Sequence, residues 1–160
     1  MEHLDIVNNN DEVVGRAPKS EIYEKLHAHR IVHVLIFDDA GKMALQKRAE
    51  CVSFCPGHWS TAVGGHVQSG ESYEEAALRE FEEELGACCG IEHQFKDFYE
   101  VEGRPSKFLS TYKALYNGPF KCNPDEVESV EFFTMEQIKD KVNQGELFHP
   151  ELLFLINKHL

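Results

Sequence analysis

The sequence predicts a mixed α/β fold, a mixed β-sheet with helices packed on it, and three observations carry that prediction. Apolar and β-branched runs recur in pairs around turn signals, the pattern of hairpins. Residues 72–85 carry helical periodicity between two marked ends, and two more helical stretches close the chain. Helices and strands are interspersed with hairpins, so the sheet is expected to be mixed and not an all-parallel doubly wound one.

The elements follow in order. "HLDIVNNNDEVVGRA" alternates around an Asn-rich turn and predicts an N-terminal β-hairpin lead-in, running into a short helix near "KSEIYEKLHA". "RIVHVLIFDD" and "AGKMALQKRA" flank a turn at Asp39, Ala40 and Gly41, which predicts a hairpin with at least one buried strand. "ECVSFCPGHW" has no periodicity and contains Pro56 and Gly57, so it is expected as a loop; "STAVGGHV" follows as a short strand broken by glycines. Ser72 and Glu75 form a capping box and Gly86 is a stop signal, giving a helix over 72–85. "IEHQFKDFYEVE" and "KFLSTYKALY", separated by Gly103, Arg104 and Pro105, predict a second hairpin, and "VESVEFFTM" a last strand. Helices are expected from about Thr134 and from about Pro150.

With 160 residues and 42% hydrophobic content, the chain is long enough for one domain with a real core and too short for two comfortable ones, so a single domain over 1–160 is expected. It has no apolar stretch approaching the roughly 18 residues of a membrane span and no charged start leading into an apolar run, so a soluble, cytoplasmic protein is expected. Sixteen Lys and Arg stand against 28 Asp and Glu, a formal charge of −12 and the wrong sign for an extended nucleic-acid surface. A phosphorylated small molecule is still compatible if divalent cations stand between carboxylates and phosphates. The five cysteines, Cys51, Cys55, Cys88, Cys89 and Cys122, are odd in number and make no CxxC pair, so reduced thiols are expected. Cys51, Cys55 and His58 match no common structural zinc spacing.

Within "REFEEELG" four glutamates fall in five positions. On a helix, Glu80, Glu83 and Glu84 converge while Glu82 points elsewhere, and Ala77, Leu78, Phe81 and Leu85 form the apolar stripe. Like charges at i, i+4 cost a few tenths of a kcal/mol on a surface, whereas a hard divalent cation converts that repulsion into a binding site.

The stretch fits the 23-residue pattern G-x5-E-x7-R-E-U-x-E-E-x-G-U, with U apolar, through Gly65, Glu71, Arg79, Glu80, Phe81, Glu83, Glu84, Gly86 and Ala87. With average residue frequencies raised for this chain's glutamate content, a chance match somewhere in the chain is on the order of one in a million. This is the Nudix box, and the chain resembles the Nudix hydrolase superfamily. The resemblance implies a Nudix fold, an α/β/α sandwich around a mixed sheet, with a core over about 29–142 and the box at 65–87. It implies Mg2+- or Mn2+-dependent hydrolysis of a diphosphate bond in a nucleoside diphosphate derivative or similar small molecule. By resemblance Glu80, Glu83 and Glu84 bind metal, the carbonyl of Gly65 completes the set, and Arg79 and Glu71 support the carboxylates. Family members often draw a general base from further along the chain. Besides Glu83 and Glu84, the candidates here are Glu126, Glu128 and Glu131 in "NPDEVESVEFF". Homodimers are frequent in the family, so a second copy stands among the expected partners.

Residues 29–135 also resemble the isopentenyl-diphosphate-isomerase-like branch, including "PGHW" before the box and "NPDEVE" after it. The isomerases carry W-T-N-S-V-C-G-H-P, with a cysteine in proton transfer and a metal-binding histidine. This chain has Gly64 where the cysteine stands, and no acid near "SKFLSTYKAL" where the isomerases carry a glutamate pair. Both catalytic groups of an isomerase are thus missing and the hydrolase box is whole, which favours hydrolysis over isomerisation and over a non-catalytic binding module. His66 is a candidate contact to substrate or metal; His27, His29 and His33 are expected to be structural or surface groups. Lys47, Arg48, Arg104 and Trp59 are candidate substrate contacts, and Phe54, Phe98, Tyr99 and Tyr112 are aromatics able to stack on a base.

Overall fold

A computed structural model describes residues 1–160. The lead-in is the expected hairpin, β1 (His3–Val7) antiparallel to β2 (Val13–Pro18), followed by the short helix α1 (Lys19–Glu24). Asp11 fastens the hairpin tip to the body. Its carboxylate accepts from Arg30 Nε at 2.7 Å, Lys96 Nζ at 2.7 Å and Tyr73 Oη at 2.8 Å.

The main sheet has seven strands and is mixed. The central strand β3 (His29–Phe37) pairs in parallel along its whole length with β8 (Lys107–Leu115), which pairs antiparallel with β7 (Glu92–Tyr99). The opposite edge of β3 is taken by β6 (Val63–His66) from Ile31 to Val34, and only at Phe37 by β4 (Met43–Arg48). The hairpin expected between β3 and β4 therefore holds only next to its turn. β4 splays away, because its length is paired with β9 (Val127–Phe133) and with β5 (Trp59–Thr61). "STAVGGHV" is two strands and not one, and the break falls at Ala62, with Gly64 and Gly65 inside β6.

Strand alternation explains the layers. Val32, Val34 and Ile36 of β3 pack with Ala76, Ala77, Phe81 and Leu85 of α2 (Tyr73–Leu85) on one face of the sheet. Leu35, together with Met43, Leu45 and Trp59, packs on the other face with Ile138 of α3 (Met135–Asn143) and Leu152 and Ile156 of α4 (Pro150–His159). The result is an α/β/α sandwich. The apolar stripe of α2 differs in one member from the sequence expectation: Ala76 is fully buried, while Leu78 is only half-buried.

Candidate active site

The phase of α2 decides where its glutamates go. Ser72 Oγ accepts from the Glu75 amide at 3.1 Å, and the Glu75 carboxylate accepts from the Ser72 amide at 3.0 Å, so the capping box forms. Gly86 ends the helix at φ +61, and a Cβ there would lie 2.8 Å from the Lys121 carbonyl oxygen, so both backbone conformation and space call for glycine. With Phe81 and Leu85 turned into the core, the three glutamates are graded by depth. Glu84 is buried, the Glu80 side chain is 12% exposed and that of Glu83 51%.

Arg79 organises this face. It donates through Nε and Nη2 to both oxygens of Glu71, at 2.7 and 2.9 Å, and through Nη1 to Glu80 at 2.8 Å and Glu83 at 3.1 Å. Its Nη2 also donates to the His66 carbonyl at 3.0 Å, tying helix to strand. Burial works upward on Glu71, but the Arg79 hydrogen bonds outweigh it and hold its pKa below the ordinary carboxylate value. Glu84 accepts from Gln46 Nε2 at 2.8 Å through one oxygen, while its other oxygen is buried with no partner. Burial first, and then the neighbouring Glu80, push its pKa well above the usual range. The pKa of Glu80 is raised by burial, which prevails over its hydrogen bond from Arg79. A Cβ at Gly65 would stand 2.6 Å from Glu80 Oε1, so the glycine is what lets that carboxylate lie against the β6 backbone. No three His, Cys, Asp or Glu side chains stand ready-grouped as ligands, either here or at Cys51, Cys55 and His58; Arg79 holds Glu80 and Glu83.

These groups line a cleft of about 560 Å³ that continues past the glycines. Glu126 lines it too, and burial followed by the Glu83 charge raises its pKa. At the other end α1 contributes Tyr23, whose hydroxyl lies 2.6 Å from His66 Nε2. The His66 ring stacks on His29 at 5.6 Å, and burial lowers the pKa of both, that of His29 to about 4. Behind them Lys107 donates to Glu151 Oε2 at 3.0 Å, and His33 Nε2 meets Glu151 Oε1 at 2.8 Å. All three of these side chains are buried.

Of the sequence candidates, Gly65, His66, Arg48, Arg79, Glu80, Glu83, Glu84, Arg104 and Phe54 line this cleft together. Trp59 and Lys47 do not. Trp59 points into the opposite layer, donates to Glu146 at 3.1 Å and carries the Lys47 ammonium 5.8 Å from its ring. Among the three acids after the box only Glu126 reaches the cleft. Glu128 pairs with Lys47 at 3.5 Å, and Glu131, exposed, alternates with the α2-facing Val130 and Phe132. Gln46, Tyr23, Lys107 and Glu151 escaped the sequence reading. Each is a single polar residue without a motif, brought to the cleft by strand pairing and helix packing. No cysteine lines the cleft, Gly64 does, and the one residue of β8 that does is the ammonium Lys107 and not an acid.

A model described as "NUDIX domain" matches residues 27–154. The chain is 32% identical over 152 residues to "Uncharacterized Nudix hydrolase YfcD" of Escherichia coli strain K12, covering 95% of this chain and 83% of the relative. It is 34% identical over 153 residues to "Uncharacterized Nudix hydrolase SCO1686" of Streptomyces coelicolor, covering 94% and 83%. Among solved structures, that of DR0079 from Deinococcus radiodurans superposes with a TM-score of 0.84 at 28% identity, over 98% of both chains. The fold is also that of a MutT protein from Methanosarcina mazei Go1, with a TM-score of 0.66 at 21% identity over 79% of this chain and 87% of the other.

Proposed function

The chain belongs to the Nudix hydrolases, and from that premise we propose that it cleaves a diphosphate bond in a nucleoside diphosphate derivative or similar small molecule, with Mg2+ or Mn2+ as cofactor. The observation that carries this reading is the convergence of Glu80, Glu83 and Glu84 with Gly65 on one wall of the cleft, braced by Arg79. The donor set suits a hard cation. It consists of carboxylates and a backbone carbonyl, one buried Glu84 oxygen has no partner, and two carboxylates are held together in a site that raises their pKa. When bound, such an ion supplies charge neutralisation at the diphosphate and acidifies water.

The side chains divide the remaining work. Arg79 keeps Glu80 and Glu83 in place and fixes Glu71 behind them. Arg48, with its Nε committed to the Phe54 carbonyl at 3.0 Å, turns its remaining N–H donors to phosphate oxygens. Glu126, in the cleft with Glu83 and with a raised pKa, takes the proton of the attacking water in this reading. An isomerase reading has no support, since neither a thiol nor a β8 carboxylate lines the cleft.

The test is product analysis by mass spectrometry over a panel of nucleoside diphosphate compounds and isopentenyl diphosphate, with and without Mg2+, on the parent and Glu83→Gln. Mg2+-dependent cleavage that the substitution abolishes, with the fold intact because Glu83 is half exposed, is the expected result. Parental turnover in Glu83→Gln would remove the metal-ligand assignment, and allylic product from isopentenyl diphosphate would remove the hydrolytic one.

A further inference from the structure

The end of the cleft away from the box carries a second concentration of charge, of opposite sign. The protein is acidic overall, with only five arginines and eleven lysines, yet Lys19, Arg48, Arg104 and Lys107 all line this cleft. Lys107 is the unusual member. It is 7% exposed, and Glu151 accepts a hydrogen bond from one of its three N–H groups, which leaves two donors at the cleft wall. A buried ion pair is poor value as stabilisation, because desolvating both charges offsets their attraction. Glu151 and His33 are better understood as the base on which a cleft-facing ammonium stands.

Tyr23 links this end to the box. Its ring lies 5.7 Å from the Lys107 ammonium and 5.8 Å from the Arg104 guanidinium, while its hydroxyl reaches His66, whose carbonyl holds Arg79. Arg104, from the β7–β8 loop, packs at 4.7 Å over the Phe54 ring, and no carboxylate lies within ion-pair distance of it or of Lys19. Tyr23 and Lys19 come from the lead-in, outside the residues that match the family model. Only four of the 24 residues that line the cleft are hydrophobic, so the cleft as a whole is polar.

We propose that Lys107, Arg104 and Lys19 form an anion subsite for a second phosphate group of the substrate, separate from the scissile diphosphate. Three cationic groups, two of them free of any carboxylate partner, match the charge of a phosphate ester dianion. The substrate class is accordingly a diphosphate compound that bears a further phosphate ester on the moiety reaching toward α1. This rests on the cleft being the hydrolytic site, and its test is independent of turnover.

The experiment is titration calorimetry with inorganic phosphate in the presence of EDTA, on the parent, Lys107→Met, Lys107→Arg, Arg104→Gln and Glu83→Gln. Phosphate is expected to bind the parent without metal. Binding weakens about 10- to 100-fold in Lys107→Met, the range of a charge-assisted hydrogen bond, and stays near parental in Lys107→Arg and Glu83→Gln. Arg104→Gln, on an exposed loop where folding is not at risk, weakens it several-fold and keeps the test decisive if Lys107→Met is poorly folded. No phosphate binding to the parent, or parental binding in Arg104→Gln together with any folded Lys107→Met, overturns the subsite. Loss of turnover in Glu83→Gln with phosphate binding retained leaves the subsite and the metal-ligand assignment of Glu83 both standing; retained turnover removes only the latter.

Discussion

Glu84→Gln is expected to stabilise the metal-free protein while destroying its activity. In the parent the Glu84 carboxylate is buried with one oxygen unpartnered and lies beside Glu80. Glutamine has nearly the same shape, keeps a carbonyl to accept from Gln46, and replaces the unpartnered oxygen with an N–H donor facing Glu80. Relief of an unsatisfied buried group is worth about 1–3 kcal/mol. At about 2 kcal/mol, a protein of this size gains about 4–8 °C in Tm. The sign with pH follows from the raised pKa of Glu84. Its folded value lies above the unfolded one, so the parent's metal-free stability is full below the unfolded carboxylate range and is lost as pH rises through the folded value. The difference in Tm between variant and parent, measured by calorimetry in EDTA, should therefore widen from pH 5 to pH 8. Mg2+ should raise Tm in the parent and do so far less in the variant. A variant that is less stable than the parent in EDTA at pH 8, or a difference that does not change with pH, would refute the account of Glu84 as a strained carboxylate awaiting a cation.

Other perturbations separate the remaining parts of the site. Gly65→Ala places a Cβ within 2.6 Å of Glu80 Oε1, so the flexible carboxylate must move; the protein should fold normally and lose about 10²-fold in kcat, the cost of a roughly 1 Å misplacement, as steady-state kinetics would show. Glu126→Gln should cost about 10²–10⁴-fold in kcat, the range for a general base, while Glu128→Gln and Glu131→Gln stay near the parent; the reverse ranking would move the base off the cleft. His29 and His149 each have a pKa lowered to about 4 by burial, so each binds fewer protons folded than unfolded. Each therefore contributes stability that is present above about pH 6.5 and is lost as pH falls toward 4, up to about 3 kcal/mol per group. Denaturant unfolding of His29→Phe across that window should show a shallower acid loss than the parent.

The architecture was largely legible because its signals are local. Capping at Ser72, the glycine stop at Gly86 and the period of Ala77, Phe81 and Leu85 are written within single segments, and so is the spacing of Glu71, Arg79, Glu80, Glu83 and Glu84. Those features fix the helix and its phase, and the phase fixes which acids converge. The partnership of β3 with β6 and β8 was not legible. A strand's sequence states which faces it buries but not which edge it meets, and that is why the β3–β4 hairpin was overestimated. The same lack hid the cationic end of the cleft. Lys107 enters through the parallel register with His29, Tyr23 through the docking of α1, and Glu151 through α4 folding over the sheet. Sequence by itself determined the family and the acidic wall, because those depend on spacing along one helix and its preceding loop. Tertiary structure alone decided that Glu126 and not Glu128 or Glu131 shares the cleft with that wall, and that an ammonium on a buried carboxylate lines it too, because both depend on which segments, far apart in the chain, pack against one another.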